Sequence, residues 1–84
     1  MIMKIFAVYD SAVSAYMSPF FMHSRGQALR SFCDTAEDVN TNIGKHPKDF
    51  TLFELGEYND STAGFTLYDC PHALGVALEL LSAR

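Results

Sequence analysis

Apolar side chains recur along this chain with two spacings, one of period two and one of helical period. Residues 2 to 9 are rich in Ile, Phe, Val and Tyr, the composition of a strand. Met3, Ile5, Ala7 and Tyr9 share one face, while Ile2, Lys4, Phe6 and Val8 share the other. Both faces are largely apolar, which predicts a strand in the middle of a sheet or one covered by a partner. Asp10 and Ser11 then supply turn chemistry. Tyr16 to Met22 reads as extended again, but Pro19 has no N–H for a ladder, so an edge or irregular strand is expected. Ser24 followed by Gln27 is a capping-box pattern. Behind it, Leu29, Phe32, Cys33 and Ala36 fall on one helical face and predict a helix over about residues 25 to 39. Gly26 in its first turn is unfavourable by roughly 1 kcal/mol against Ala, which suggests a close backbone approach there. Asp34, Glu37 and Asp38 mark the outer side, and Asn40 to Gly44 ends the helix.

The run from Phe50 to Tyr58 predicts another strand, with Phe50, Leu52 and Tyr58 on one face and Phe53 and Leu55 on the other. A polar turn from Asn59 to Gly64 and a returning strand from Phe65 to Tyr68 complete a hairpin. Asp69 with Pro71 resembles a helix start, and Leu74, Ala77, Leu78 and Leu81 have helical spacing. Val76, Leu78 and Leu80 also fit a strand, so residues 71 to 82 stay open between the two, with helix preferred. The predicted order is β-β-α-β-β-α. It corresponds to an α+β fold: a small, mainly antiparallel sheet with helices packed on one face.

Composition narrows the class. Eighty-four residues suffice for a single domain, residues 1–84, and are too few for a second core. With 49% apolar and 19% charged residues, the chain is not a disordered tail. No apolar run approaches the roughly 20 residues of a spanning helix, so no membrane role is expected. The first ten residues lack a small-residue cleavage site and do not read as a signal peptide. Two cysteines, Cys33 and Cys70, are expected as free thiols in a reducing compartment.

Chemistry-bearing motifs are sparse. His23, His46, His72, Cys33 and Cys70 lack the paired spacing of a zinc site, so no metal is expected. There is no nucleophile elbow, phosphate-binding glycine loop or zinc-protease signature, hence no catalytic residues, no cofactor and no enzyme activity are predicted. The net charge of −4 disfavours binding driven by phosphate neutralisation. A basic loop, Lys45-His46-Pro47-Lys48, precedes an aromatic strand, and Arg25 and Arg30 lie on the helix. Arg25, Arg30, Lys45, His46 and Lys48 are therefore the candidate nucleic-acid contacts, for single-stranded DNA combined with ring stacking. Eleven Phe and Tyr and four Met are more than one small core readily holds. Phe6, Val8, Tyr16, Met17, Phe20 and Phe21 are the candidate interface for self-association or a protein partner.

The assembled residues resemble a family. Phe6-Ala-Val-Tyr-Asp10, Pro19-Phe20-Phe21, the helix with Gly26, Ala28, Arg30 and Phe32, and the block Gly44-Lys-His-Pro-Lys-Asp-Phe-Thr-Leu-Phe53 carry the similarity. It continues through Leu55-Gly56, the Asn59-Asp60 turn with Gly64, and Pro71-His-Ala-Leu-Gly75 to Leu78-Glu79. In these features the chain is similar to the small nonstructural protein of gokushovirus-type microviruses, phages with single-stranded DNA. The resemblance covers nearly the whole chain. It implies a nonstructural regulator in the host cytoplasm, comparable with the factor that shifts replication towards single-strand synthesis and packaging. Together with the apolar excess, which predicts a homo-oligomer, this setting makes phage replication or procapsid proteins the expected partners. Some members of the family carry a DNA-binding label, which gives direct single-stranded DNA binding as the alternative.

Overall fold

A computed structural model describes residues 1–84. It contains β1 (Ile2–Asp10), β2 (Ala15–Tyr16), β3 (Phe20–Met22), α1 (Arg25–Glu37), α2 (Asn42–Lys45), a 3₁₀ turn (Pro47–Asp49), β4 (Phe50–Asn59), β5 (Gly64–Val76) and α3 (Ala77–Ser82). All strand pairs are antiparallel, in the order β2-β1-β4-β5, with β3 pairing β1 beside β2. The expected α+β architecture is what the chain adopts. β1 lies inside the sheet, which accounts for its apolar character on both faces. Along its outer edge β2 pairs Tyr9 and Asp10, and β3 pairs Lys4 to Phe6. Met17 to Pro19 separates these two short strands, and Pro19 has no N–H to bridge the gap.

The helices share one side of the sheet. Phe6 and Val8 from β1 and Phe50 and Leu52 from β4 pack against Ala28, Phe32 and Ala36 of α1, Ile43 of α2 and Ala77 of α3. Ser24 caps α1 by accepting from the Gln27 N–H at 3.2 Å, and Gln27 Oε1 accepts from the His23 N–H at 3.1 Å. α1 ends at Glu37, two residues before the expected boundary. Thr41 then starts a separate short turn by accepting from the Gly44 N–H at 3.0 Å.

Three local expectations need correction. Gly26 faces open space, because a Cβ there would meet nothing nearer than Ser24 Oγ at 3.9 Å. Residues 69 to 76 belong to β5, and only Ala77–Ser82 is helical. The upper half of β4 needs a ladder partner, and Thr51 to Glu54 find one in His72 to Val76. Third, the alternation of β4 is broken at Leu55. Glu54 pairs Phe6 and Gly56 pairs Ile5, so Leu55 is an extra residue on β4 opposite β1. The bulge shifts the parity, and Tyr58 lies on the opposite face from Phe50 and Leu52.

Candidate functional site: an uncharged aromatic face

The register divides the side chains of the sheet into two sets. On the helix side stand Phe6, Val8, Phe50 and Leu52, together with Lys4, Asp10, Glu54 and Glu57. The other face carries Met3, Ile5, Ala7 and Tyr9 from β1, and Thr51, Phe53, Gly56 and Tyr58 from β4. Tyr16 and Phe21 extend it at one edge, and Phe65, Leu67 and Ala73 at the other. None of these paired positions is charged. A solvated sheet face normally alternates polar residues outward. Here the charges of β1 and β4 are on the covered side, and the open side is apolar.

Two groups of three rings dominate the open face. Tyr9, Tyr16 and Phe53 form one, with centroids 4.9 to 6.3 Å apart. Phe21, Tyr58 and Phe65 form the other, at 4.8 to 6.4 Å. Their geometries are tilted or edge-on, as aromatic pairs prefer. Ile5 and Ala7, buried although no helix covers them, sit in register beside Phe21 and Phe53. Phe65 and Leu67 remain 61% and 65% exposed, and Tyr16 48%.

The six expected interface residues are thereby sorted. Tyr16 and Phe21 belong to the open face. Phe6 and Val8 are buried in the core of the single chain, and Phe20 packs against that core from β3, so none of the three is on the open face. Their parity on the central strand directs them under α1. Met17 lines an apolar depression of about 350 Å³ between the β2–β3 connection and α1, with Val8, Phe20 and Phe32. Phe65, Leu67, Phe53 and Tyr58 stand on the open face as well, outside the expected set. The signal lay in the hairpin, where Tyr58 faces Phe65 and Gly56 faces Leu67.

The five candidate cationic residues do not form one patch. Arg25 opens α1, whereas Lys45, His46 and Lys48 follow its far end. α1 itself, thirteen residues and about 20 Å long, runs between Arg25 and the segment that leads to this loop. Arg30 lies exposed in the middle of the helix, beside Gln27 and Asp34. All five are on the helix layer or its connections, not among the strand positions of the aromatic face.

Arg25 has a local partner. Its Nε donates to Glu54 Oε1 at 2.8 Å, the Tyr68 hydroxyl donates to Oε2 at 2.5 Å, and Lys4 Nζ stands 3.7 Å from the same oxygen. The Glu54 side chain is only 1% exposed. Burial pushes its carboxyl up, but the bonds from Arg25 and Tyr68 and the charge of Lys4 outweigh it and hold the group below its usual range. The Tyr68 phenol is pushed up to about 12, first by its bond to Glu54 and then by burial. His72 stacks on Tyr68 with ring centroids 4.4 Å apart. This network ties the start of α1 and the Tyr68–Pro71 excursion of β5 to the sheet. Glu54 was legible as a charge in phase with Phe50 and Leu52, although its partners were not.

No group of three His, Cys, Asp or Glu side chains converges to hold a metal ion, and both cysteines are free thiols. No helix is long and apolar enough to cross a membrane. Comparison with curated proteins and with solved structures yields no match. The profile of the family described as Phage ORF5 protein matches residues 3–80, from the start of β1 into α3. The chain therefore belongs to the Phage ORF5 protein family.

Proposed function

We propose that this phage protein is a non-catalytic regulator of single-stranded DNA synthesis and packaging in the host cytoplasm. It acts by binding replication or procapsid proteins and copies of itself. The observation that carries the protein-contact part is the uncharged aromatic face. Exposed aromatic and aliphatic side chains without charge match the composition of protein interface cores. The resemblance to the nonstructural protein of gokushovirus-type microviruses supports the setting in phage DNA synthesis.

Direct single-stranded DNA binding is the second reading, favoured by one observation: rings exposed on an open sheet resemble a stacking platform. Such platforms pair stacking with cations that follow the phosphates. In this chain Arg25, Arg30, Lys45, His46 and Lys48 stand away from the rings, and the net charge is −4. Fluorescence anisotropy with labelled single strands across a salt series separates the readings, alongside pairwise two-hybrid tests against the phage's own replication and procapsid proteins. The proposal expects no DNA binding at physiological salt and a specific protein partner. Tight binding with a steep salt slope, weakened by the Lys45→Glu/Lys48→Glu double variant, would replace it with the second reading.

A further inference from the structure

The open face has one occupant that its chemistry fits best. We infer that a second copy of the chain packs on it, sheet against sheet, to form a two-fold homodimer. The inference rests on the protein-contact reading above and names the partner of that face.

Charge is the first ground. The face has no charged position among its paired residues, so it offers phosphate no counter-charge and a charged protein surface no partner. A second copy presents the same uncharged surface, and a two-fold interface requires such self-complementarity. Each chain carries a net charge of −4. Face-to-face packing leaves Asp10, Glu54 and Glu57 on the far side of each sheet. Sheets pack about 10 Å apart, so the charges of the two copies stand beyond the screening length of about 8 Å at physiological salt.

Area is the second ground. Four strand positions about 4.8 Å apart, each spanning about eight residues at 3.3 Å, outline a face of about 500 Å² in plan. That plan area is below the ~800 Å² per partner of a standard interface, so a weak dimer that forms with rising concentration is expected. One of the two sheet edges is a poor site for self-association by strand addition. Pro19 interrupts the edge formed by β2 and β3, which leaves β5 as the unpaired edge.

Sedimentation velocity over low to high micromolar concentration tests the dimer, using the wild type and the variants Phe65→Lys, Leu67→Lys and Leu78→Lys. The wild type should approach twice the chain mass of 9.3 kDa as concentration rises. Phe65→Lys and Leu67→Lys, which put a charge in place of the most exposed apolar side chains of the face, should each raise the dissociation constant about 30-fold, the factor for a loss of about 2 kcal/mol. Leu78 is an exposed apolar residue on α3, and its substitution should leave the dimer intact. The thermal midpoint of the wild type supplies a readout that needs no variant, because it should rise with protein concentration. A wild type that is monomeric throughout, with a concentration-independent midpoint, overturns the dimer while leaving binding to another phage protein standing. A dimer unaffected at Phe65 and Leu67 but broken at Leu78 overturns the assignment of the face. Salt-dependent DNA binding in the anisotropy experiment instead removes the underlying reading.

Discussion

Arg25 Nε donates to Glu54 Oε1 at 2.8 Å, joining the first turn of α1 to the middle of β4. With Tyr68 on the other carboxylate oxygen, the buried charge has hydrogen bonds on both sides. A buried carboxylate without such partners would be strongly destabilising. Glu54→Gln should destabilise the fold by about 2 kcal/mol, the scale of a hydrogen bond to a charged group. Chemical denaturation at neutral pH measures this directly.

The same carboxylate makes stability depend on acid. Its folded pKa lies below the ordinary value of 4.5, so its contribution is complete above that pH. The contribution disappears as the pH falls through the lower folded value, because protonation removes the charge that Arg25 and Lys4 stabilise. Acid denaturation should therefore be steeper below pH 4.5 in the wild type than in Glu54→Gln. Parallel profiles for the two proteins would show that the network does not bind its charge in this way.

Tyr68 gives an alkaline counterpart. Its phenol titrates near 12 in the fold against an ordinary 10.0, so its stabilisation is intact below 10.0 and lost as the pH rises through about 12. Ultraviolet titration should detect one late-ionising tyrosine that is absent from Tyr68→Phe. Glu54→Gln should lower that ionisation, since the bond to Glu54 is the main cause of the shift.

Two glycines should respond in opposite directions to alanine. Gly26 has open space around it in the first turn of a helix, so Gly26→Ala should stabilise by about 0.5–1 kcal/mol. Gly56 lies next to the Leu55 bulge, where a Cβ would overlap the Thr66 carbonyl oxygen and crowd Leu67 Cα. Backbone atoms cannot move aside as a flexible side-chain end can. Gly56→Ala should cost about 1–3 kcal/mol, as measured by thermal or denaturant unfolding.

The bulge also separates what the sequence made legible from what it did not. β1 and α1 were readable because each has one uninterrupted period, and Ser24 with Gln27 marked the helix start. In β4 the extra residue at Leu55 reverses the alternation, which placed Tyr58 with Phe50 and Leu52 when it belongs with Phe21 and Phe65. In β5 the departure of Tyr68 to Pro71 from the ladder hid the strand that resumes at His72. Pro71 and the helical spacing of Leu74, Ala77 and Leu81 then pointed to a helix. The candidate site crosses both irregularities. Its edge residues Tyr16 and Phe21 were therefore recognised, while Phe53, Tyr58, Phe65 and Leu67 were not.

Core and face residues of similar chemistry should separate on mutation. Phe6 is fully buried beneath the helices, and Phe6→Ala should cost about 3–5 kcal/mol. That is a large share of the roughly 4–13 kcal/mol expected for a chain of this length. Phe65→Ala, measured at concentrations where the chain is monomeric, should cost less than about 1 kcal/mol, because its ring is already more than half exposed. Equal losses at the two positions would mean that the open face contributes as much as the core to the stability of a single copy.

The central claim is that the uncharged aromatic face is where this chain meets a second copy. Isotope-filtered nuclear Overhauser spectroscopy on a mixture of labelled and unlabelled chains tests it most directly. Contacts between copies should connect Tyr9, Phe53, Tyr58, Phe65 and Leu67, with none from α1 or from the edge strand β3 outside Phe21. Inter-copy contacts confined to the helix layer or the sheet edges, or no such contacts at high concentration, would contradict the account.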